Sequence, residues 1–444
     1  MGIFKAYDVR GLVPEELTAD AAERIGGAAA RFFGAGAVAV GRDARTHSPI
    51  LADALVAGMR RAGADVVDLG LVATPMLYFG VDRLGLAGGV MVTASHNPAA
   101  YNGFKVCGRN AVPVGEASGL REIERLAGEA APAAARAGGL RREDVRAAYV
   151  EHLLALTPAR PALRVAIDCG NGMAGVGLEP LLARLPLTVE RLYFEPDGRF
   201  PNHPADPLVV ENLADVREAV RRTGAQLGVA LDGDGDRAIF VDERAEPVAS
   251  DLVTALLARA VLARQPGATI LYDLRSSRAV AEEIRAAGGV PEMCRVGHSF
   301  VKKQMRERGA PFGGELSGHF YFRFSETLVA DDGSAALMAL LDVLDREKRP
   351  LSQLVKPLQR YAASGEISRR VPDVGALLRA IESDHRGSAR VSHLDGLLVE
   401  YPDWWFNLRP SNTEPVLRLN LEARDPARMA AERDRLVARM EAGA

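Results

Sequence analysis

One pattern occurs three times in this chain and constrains its fold more than any other feature. It is an apolar strand, a turn opening on Asp, an amphipathic helix and a second strand. The first copy runs from Ala37-Val38-Ala39-Val40-Gly41-Arg42-Asp43, through a helix over Ile50 to Arg61, to Asp65-Val66-Val67-Asp68-Leu69. The second begins Leu163-Arg164-Val165-Ala166-Ile167-Asp168 and turns through the glycine-rich stretch from Gly170 to Gly177. The third begins Thr269-Ile270-Leu271-Tyr272-Asp273, with a helix over Arg278 to Ala287 and then Gly288-Gly289. Each copy has about 30 residues, the length of a βαβ crossover. The landmark residues Asp43, Asp168 and Asp273 lie a whole domain apart, too far for a solenoid period. At 444 residues the chain also outgrows any single core, whose limit is ~250 to 300 residues.

The pattern predicts an α/β protein of three tandem, similar α/β domains with mixed sheets. From Gly365 the repeat is absent. Strands over Leu397 to Tyr401 and Val416 to Leu421, then a helix from Pro426 to Met440, predict a smaller C-terminal α+β domain. Joints are expected in the Ala/Gly-rich stretch Ala127 to Gly139, near Asp242 to Pro247, and around Lys348 to Ser364. The expected domains are therefore residues 1–138, 139–246, 247–357 and 358–444.

Composition narrows the partners. With 48% hydrophobic residues, 25% charged residues and a formal charge of -3, nothing favours nucleic acid or a membrane surface. The longest apolar runs, such as Ala335 to Leu344, fall short of the ~20 residues that span a bilayer. The start Met1-Gly2-Ile3-Phe4-Lys5-Ala6 has no apolar signal core, and Ala6 stands where a myristoylation motif wants Ser or Thr. Cys107, Cys169 and Cys294 are widely spaced with no pairing pattern. A reduced, cytoplasmic location is expected.

Four segments carry chemistry. Ser95, in Thr93-Ala94-Ser95-His96-Asn97-Pro98, follows the apolar run Gly89-Val90-Met91-Val92 and so sits where a strand leaves a sheet. Ligands bind at such strand ends in α/β proteins. His96, Asn97 and Lys105 are at hand to ligate or donate to a phosphate, although Ser95 and Asn97 also suit a plain turn before Pro98. No Gly-x-Ser-x-Gly elbow supports a serine hydrolase. Asp232-Gly233-Asp234-Gly235-Asp236-Arg237 follows a second apolar run; if extended, it projects its three carboxylates to one side. Carboxylates ~4 Å apart repel by roughly 4 kcal/mol per pair, which a divalent cation relieves, and oxygen ligands favour Mg²⁺ over Zn²⁺. An EF-hand fits poorly, since Arg237 stands at the position that needs Gly, whereas a solvated acidic turn stays open.

Gly313-Gly314-Glu315-Leu316-Ser317-Gly318-His319 puts a carboxylate, a hydroxyl and an imidazole on one loop, suited to a polyol or to nothing beyond a surface turn. Arg409-Pro410-Ser411-Asn412-Thr413-Glu414-Pro415 offers a guanidinium, two hydroxyls and an amide, with Arg418 beyond. That is the inventory of a phosphate clamp, set against a proline-bracketed turn.

A serine, a divalent-metal site, a polyol loop and a phosphate clamp, one per expected domain, fit a phosphosugar enzyme with its active site at a four-domain cleft. From Lys5-Ala6-Tyr7-Asp8-Val9-Arg10-Gly11 to the Arg409 segment, the chain resembles the α-D-phosphohexomutases of the phosphomannomutase/phosphoglucomutase type. The resemblance implies a phosphoryl group carried on Ser95 and Mg²⁺ held by Ser95, Asp232, Asp234 and Asp236. It implies interconversion of hexose 1-phosphate and hexose 6-phosphate, with hexose 1,6-bisphosphate as intermediate and activator. Arg10, His96, Lys105 and Arg237 would assist the transfer. The substrate would lie against Tyr7, Arg275, Glu315 and Ser317, with His298 from Gly297-His298-Ser299-Phe300 binding the sugar or moving a proton. Arg409, Ser411, Asn412 and Thr413 would clamp the phosphate that is not reacting.

One position departs from the family pattern. Arg275 stands where many members have Lys, and its guanidinium stays charged where an amine can transfer a proton. The segments around Lys105 and Glu315 resemble mannose/glucose mutases more than phosphoglucosamine mutases, which remain an alternative. A Mg²⁺-dependent sugar phosphatase and a non-catalytic phosphosugar-binding protein are the readings from other classes. The expected partner is a small phosphosugar, and the expected state a monomer or homodimer.

Overall fold

The computed structural model describes residues 2–129, 134–157, 161–410 and 416–442. Among these, four sheets follow one another along the chain. The repeated units form the heart of the first three. Val38–Arg42 pairs in parallel with Val66–Leu71, Arg164–Asp168 with Thr188–Leu192, and Thr269–Asp273 with Val290–Cys294. The crossover helices are Ser48–Arg61, Ala174–Leu182 and Arg278–Ala286. The first starts ahead of Ile50 because Pro49, which lacks an N–H, fits the opening turn. The third starts where Ser277 accepts the Ala279 N–H at 3.1 Å.

Each sheet then adds a reversal that the repeat did not reveal. On its other side the central strand pairs in parallel with Gly88–Val92, Leu227–Leu231 or Phe312–Gly314. The chain doubles back from these as the antiparallel strands Tyr101–Gly108, Ala238–Val241 and Phe320–Arg323. Ser95, Asp232 and Glu315 occupy the three loops at these reversals. The sheets are therefore mixed, and the three chemically loaded segments are topologically equivalent, each at the carboxyl end of a parallel strand.

Leu140–Arg142 closes the first sheet against Val66–Asp68, and Pro247–Val248 closes the second as a hairpin with Ala238–Val241. Asp242 to Glu246 is thus the turn of that hairpin. The fourth sheet is antiparallel throughout, built on Trp404–Pro410 and Val416–Ala423 with Ile367–Arg370 and Leu397–Glu400 beside them. Helices Val374–His385 and Pro426–Ala442 supply Ile381, Leu436 and Met440 to its core.

The cores divide unequally. A single apolar cluster runs through the first three sheets, joining residues such as Met76, Tyr149, Leu178, Phe240, Leu256 and Leu337. The run Ala335 to Leu344 lies at its centre as the helix Gly333–Glu347, capped by the Asp332 carboxylate on the Ala335 N–H at 2.9 Å. The fourth sheet keeps its own core around Trp404, Phe406, Leu419 and Leu436. Among the described residues no helix is long and apolar enough to cross a membrane.

Candidate active site

The serine loop is dry and strained. Ser95 is 3% exposed and takes φ 51°, a left-handed conformation that costs a non-glycine residue of order 1–3 kcal/mol. Its N–H donates to Thr93 Oγ1 at 3.0 Å, and its hydroxyl donates to Asp232 Oδ2 at 2.8 Å, across the seam between the first two sheets. His96 Nδ1 lies 3.2 Å from the same hydroxyl. Burial and the charges of Arg237, Arg10 and Lys105 hold His96 well below the ordinary histidine range, Arg237 contributing most. Arg10 reaches the loop by donating to Asn97 Oδ1 at 2.6 Å.

The acidic segment converges by a different route from the one expected. It is a tight turn rather than an extended stretch, with Gly235 at φ 79°. The Gly235 and Arg237 N–H groups both donate to Asp232 Oδ1, at 3.0 and 3.1 Å. Folding the backbone over its own first carboxylate brings one oxygen from each of Asp232, Asp234 and Asp236 within 4.8 Å of the others. Lys105 Nζ donates to Asp234 Oδ2 and Asp236 Oδ2, each at 2.6 Å, and Thr74 Oγ1 donates to Asp234 Oδ2 at 2.6 Å.

The electrostatics are those of buried carboxylates set among fixed cations. Burial, then the charges of Asp236 and Asp234, push Asp232 well above the usual carboxylate range. Burial also opposes ionisation of Asp236, but Lys105, His319 and Arg237 win and hold it well below. For Lys105 burial favours loss of the proton, and Asp234 and Asp236 reverse that and raise it. Asp234 Oδ1 is nevertheless buried with no hydrogen-bond donor, and Asp236 Oδ1 has only His319 Nε2 at 3.4 Å. Under-satisfied buried acceptors on an all-oxygen triad fit a hard divalent cation such as Mg²⁺.

The third loop completes the seam. Arg237 bridges His319 through the backbone, and the Ala238 N–H donates to the Gly318 carbonyl at 3.0 Å. Glu315 is turned inward: it is 1% exposed, and Gly297 N–H donates to its Oε1 at 2.7 Å while the Tyr321 hydroxyl donates to Oε2. Its carboxylate therefore locks the His298 loop in place. Ser317 Oγ is half-buried, 3.0 Å from His319 Nδ1. Burial and Arg237 lower the His319 pKa, but Asp236 and Glu315 raise it to about 9. His298 is the opposite case, with burial and then Lys302 pushing it well below the ordinary range. Tyr7 packs edge-on to both His298 and Phe300, with ring centroids 6.0 and 5.8 Å away.

Guanidiniums gather on the fourth domain's side. Arg275, 2.6 Å from Asp273 Oδ2, also faces Glu366 at 3.8 Å. Arg409 and Arg418 lie 3.4 and 3.5 Å from the same Glu366 carboxylate. Ser411, Asn412 and Thr413 fall outside the described residues.

The sequence marked Asp43, Asp168 and Asp273 as landmarks of a repeat without assigning them work. All three are buried, and each accepts the N–H of the residue two places on, from Arg45, Gly170 and Arg275, at 2.8–3.0 Å. Each also pairs with a basic side chain: Arg45 at 3.2 Å, His203 at 3.0 Å and Arg275 at 2.6 Å. These pairs brace the neighbouring functional loops. Asp273 Oδ2 accepts the Leu316 N–H at 3.0 Å, and the segment after His203 holds the Gly233 N–H at 3.2 Å through the Ala205 carbonyl. Glu366, Arg45 and His203 were not singled out from sequence, and His319 was read only as one member of a polyol loop. The one available signal was the recurrence of Asp at the end of each repeat's first strand.

Comparison with known proteins agrees with this architecture. Residues 1–134, 147–245 and 249–361 match the models of phosphoglucomutase/phosphomannomutase alpha/beta/alpha domains I, II and III, and residues 366–439 match the C-terminal domain. A phosphomannomutase of Escherichia coli is 40% identical over 450 residues, covering 98% of each chain. A phosphomannomutase/phosphoglucomutase of Pseudomonas aeruginosa is 38% identical over 429 residues, covering 95% of this chain and 91% of its own. The crystal structure of a phosphoglucomutase/phosphomannomutase family protein from Burkholderia thailandensis superposes with a TM-score of 0.91 at 36% identity, covering 100% of this chain and 97% of that one. With all four domains matched in order along almost its whole length, this chain belongs to the phosphoglucomutase/phosphomannomutase family of isomerases.

Proposed function

We propose that the chain interconverts hexose 1-phosphate and hexose 6-phosphate, of mannose, glucose or both, through a phosphoserine at Ser95 and a hexose 1,6-bisphosphate that stays in the site. The observation that carries this reading is the 2.8 Å hydrogen bond from the strained Ser95 hydroxyl to Asp232 within the carboxylate triad. A serine placed there shares its oxygen with whatever cation the triad holds. In one step the P–O bond to Ser95 breaks, a P–O bond to a sugar hydroxyl forms, and that hydroxyl's proton passes, directly or by way of a neighbouring base, to the Ser95 oxygen that the phosphoryl group leaves. After the bisphosphate turns round, the reverse step returns its other phosphoryl group to Ser95, so the net reaction is an isomerisation.

The residues present have separable tasks. Asp232, Asp234 and Asp236 would hold Mg²⁺, which when bound supplies charge neutralisation for the transferring phosphoryl group. Lys105, Arg237 and Arg10 surround the same point with fixed positive charge, which suits a reaction that depends on positioning and charge more than on covalent chemistry. His298, held below the ordinary histidine range by burial and Lys302, can accept a proton. Arg275 stays charged and bonded to Asp273, so it serves the anion rather than proton transfer. Arg409 and Arg418 offer the second phosphate a site remote in sequence from Ser95, which a simple phosphatase does not need. The buried, free cysteines Cys107, Cys169 and Cys294 support a reducing, cytoplasmic setting.

Intact-mass spectrometry of the parent and a Ser95→Ala variant tests the reading. The parent, incubated with hexose 1,6-bisphosphate, gains one phosphate-sized mass that hexose monophosphate removes, and the variant gains none. A parent that takes up no phosphate overturns the mechanism, and release of inorganic phosphate at the rate of turnover favours the phosphatase. Assay with mannose, glucose and glucosamine phosphates decides the sugar; turnover of glucosamine phosphate far above the other two favours the phosphoglucosamine mutase.

A further inference from the structure

Arg45 is 1% exposed and makes an unusual set of bonds for so buried a cation. Its Nη1 donates to the carbonyls of Pro98 and Tyr101 at 2.7 and 3.0 Å, and its Nη2 to those of Ser95 and Asn97 at 2.8 and 2.6 Å. Three of those acceptors belong to the loop that carries Ser95, and the fourth, Tyr101, opens the strand that follows it. The guanidinium is itself fixed from behind by Asp43, whose Oδ2 lies 3.2 Å from Nε. It is roofed by the second domain: the Phe200 ring lies 5.0 Å from its central carbon. Gly198 passes so close that a Cβ there would meet the Arg45 Cα at 2.2 Å.

Ser95 needs such a hold. Its left-handed backbone is unfavourable without glycine and persists only if its surroundings over-determine it. Its carbonyl is pinned on one side by Arg45 Nη2 and on the other by the metal loop, where a Cβ on Gly233 would come within 2.4 Å of the Ser95 oxygen. A planar fork that donates to four carbonyls at once is something only Arg provides; a lysine ammonium has three donors at a single point.

We propose that Arg45 is the positioning residue of the phosphoryl-transfer step, holding the strained Ser95 loop so that its oxygen points into the carboxylate triad. It acts through the loop's carbonyls and not on the phosphoryl group. The inference deepens the mutase reading and rests on it.

The test uses the full-length enzyme with Ser95 loaded from hexose 1,6-bisphosphate. In Arg45→Lys, kcat falls ~30- to 300-fold, because a misplacement of about 1 Å costs about that much. KM for hexose 1-phosphate moves less than ~3-fold, because the clamp and sugar loops are untouched. Millimolar methylguanidinium restores part of kcat to Arg45→Ala. The fraction of phosphoserine lost to water rather than to sugar rises in both variants, a partition that a lower melting temperature alone does not move. Phe200→Ala, which leaves every carbonyl bond in place and only opens the roof, lowers kcat ~3- to 10-fold and serves if the Arg45 variants do not fold. Arg45→Lys transferring at the parent's rate from fully loaded enzyme overturns the proposal. So does Phe200→Ala with parental kcat and partition. A parent that cannot be loaded at all instead removes the mutase reading, which keeps the two failures apart.

Discussion

The two ends of this site are built on opposite plans. At the serine end, three loops from three sheets meet inside one continuous apolar core, and every chemically loaded side chain is already bonded to a neighbour. At the clamp end, the fourth domain has a separate core and joins the third through a small joint, an apolar contact of Leu398 and Trp405 on Leu274 flanked by polar bonds. There Glu422 accepts from the Ser277 hydroxyl, the Arg278 N–H at 3.0 Å and Trp405 Nε1 at 2.6 Å, while Arg278 reaches the Tyr401 and Pro402 carbonyls. The charges are opposite as well. The serine end gathers three buried carboxylates that could hold a cation, and the clamp end gathers three guanidiniums around Glu366. The difference teaches a division of labour. On the proposed mechanism, chemistry that depends on sub-ångström placement would sit in shared core, and recognition of the exchanged phosphate on a domain with a core of its own.

The contrast can be broken most sharply at Ser95. Ser95→Ala should lower kcat at least ~10⁴-fold while calorimetric affinity for hexose 1-phosphate changes less than ~3-fold. Loss of binding in step with catalysis would mean that the two ends are not separable. Asp236→Asn should cost ~10²- to 10³-fold in kcat and raise the Mg²⁺ concentration for half-maximal rate, again with little change in KM. Arg409→Ala should show the reverse profile, raising KM ~10- to 100-fold with a smaller fall in kcat. Glu366→Gln should lower KM and the inhibition constant of inorganic phosphate ~3- to 10-fold, because the three guanidiniums lose their internal carboxylate; an unchanged phosphate inhibition constant would remove Glu366 from that role.

The smallest effect concerns the seam that makes the serine end rigid. Tyr149 donates to Asp332 Oδ2 at 2.8 Å within the shared core, and burial raises the Asp332 pKa to about 7. Its unfolded value is about 3.9, so the protonated form favours the fold and that contribution is complete below about pH 4. It is lost as pH rises toward the folded value of about 7. Asp332→Asn cannot ionise, so its melting temperature should gain about 2–4 °C on the parent's between about pH 5 and pH 8. Parallel melting curves across that range would show that Asp332 does not titrate in the seam.

Much of this was legible in the sequence because it is local. Alternation of apolar runs with amphipathic stretches marked the repeat, and the Asp at the end of each first strand marked its register. Ser95 and the Asp232 turn declared themselves by residue type next to a strand. The antiparallel reversal in each sheet was not legible, because Tyr101–Gly108 and its counterparts look like any other strand until they pair. Nor were the bonds that hold the Glu315 carboxylate, from the Gly297 N–H and the Tyr321 hydroxyl. His319 and Glu366 acquire their meaning from Asp236, Arg275 and Arg409, residues far off along the chain.

What the sequence by itself determined is the kind of units and the chemical cargo of each: three βαβ domains, a smaller fourth, a serine, an acidic triplet and an arginine clamp. Strand and helix periodicity and turn chemistry act over a few residues, so they can be read in order. Only the tertiary structure decided that the three cargo loops are equivalent, and that one buried arginine holds the serine's loop by its carbonyls. The reason is that a backbone carbonyl carries no side-chain signature, and the donor that satisfies it is chosen by packing across some 50 residues of chain.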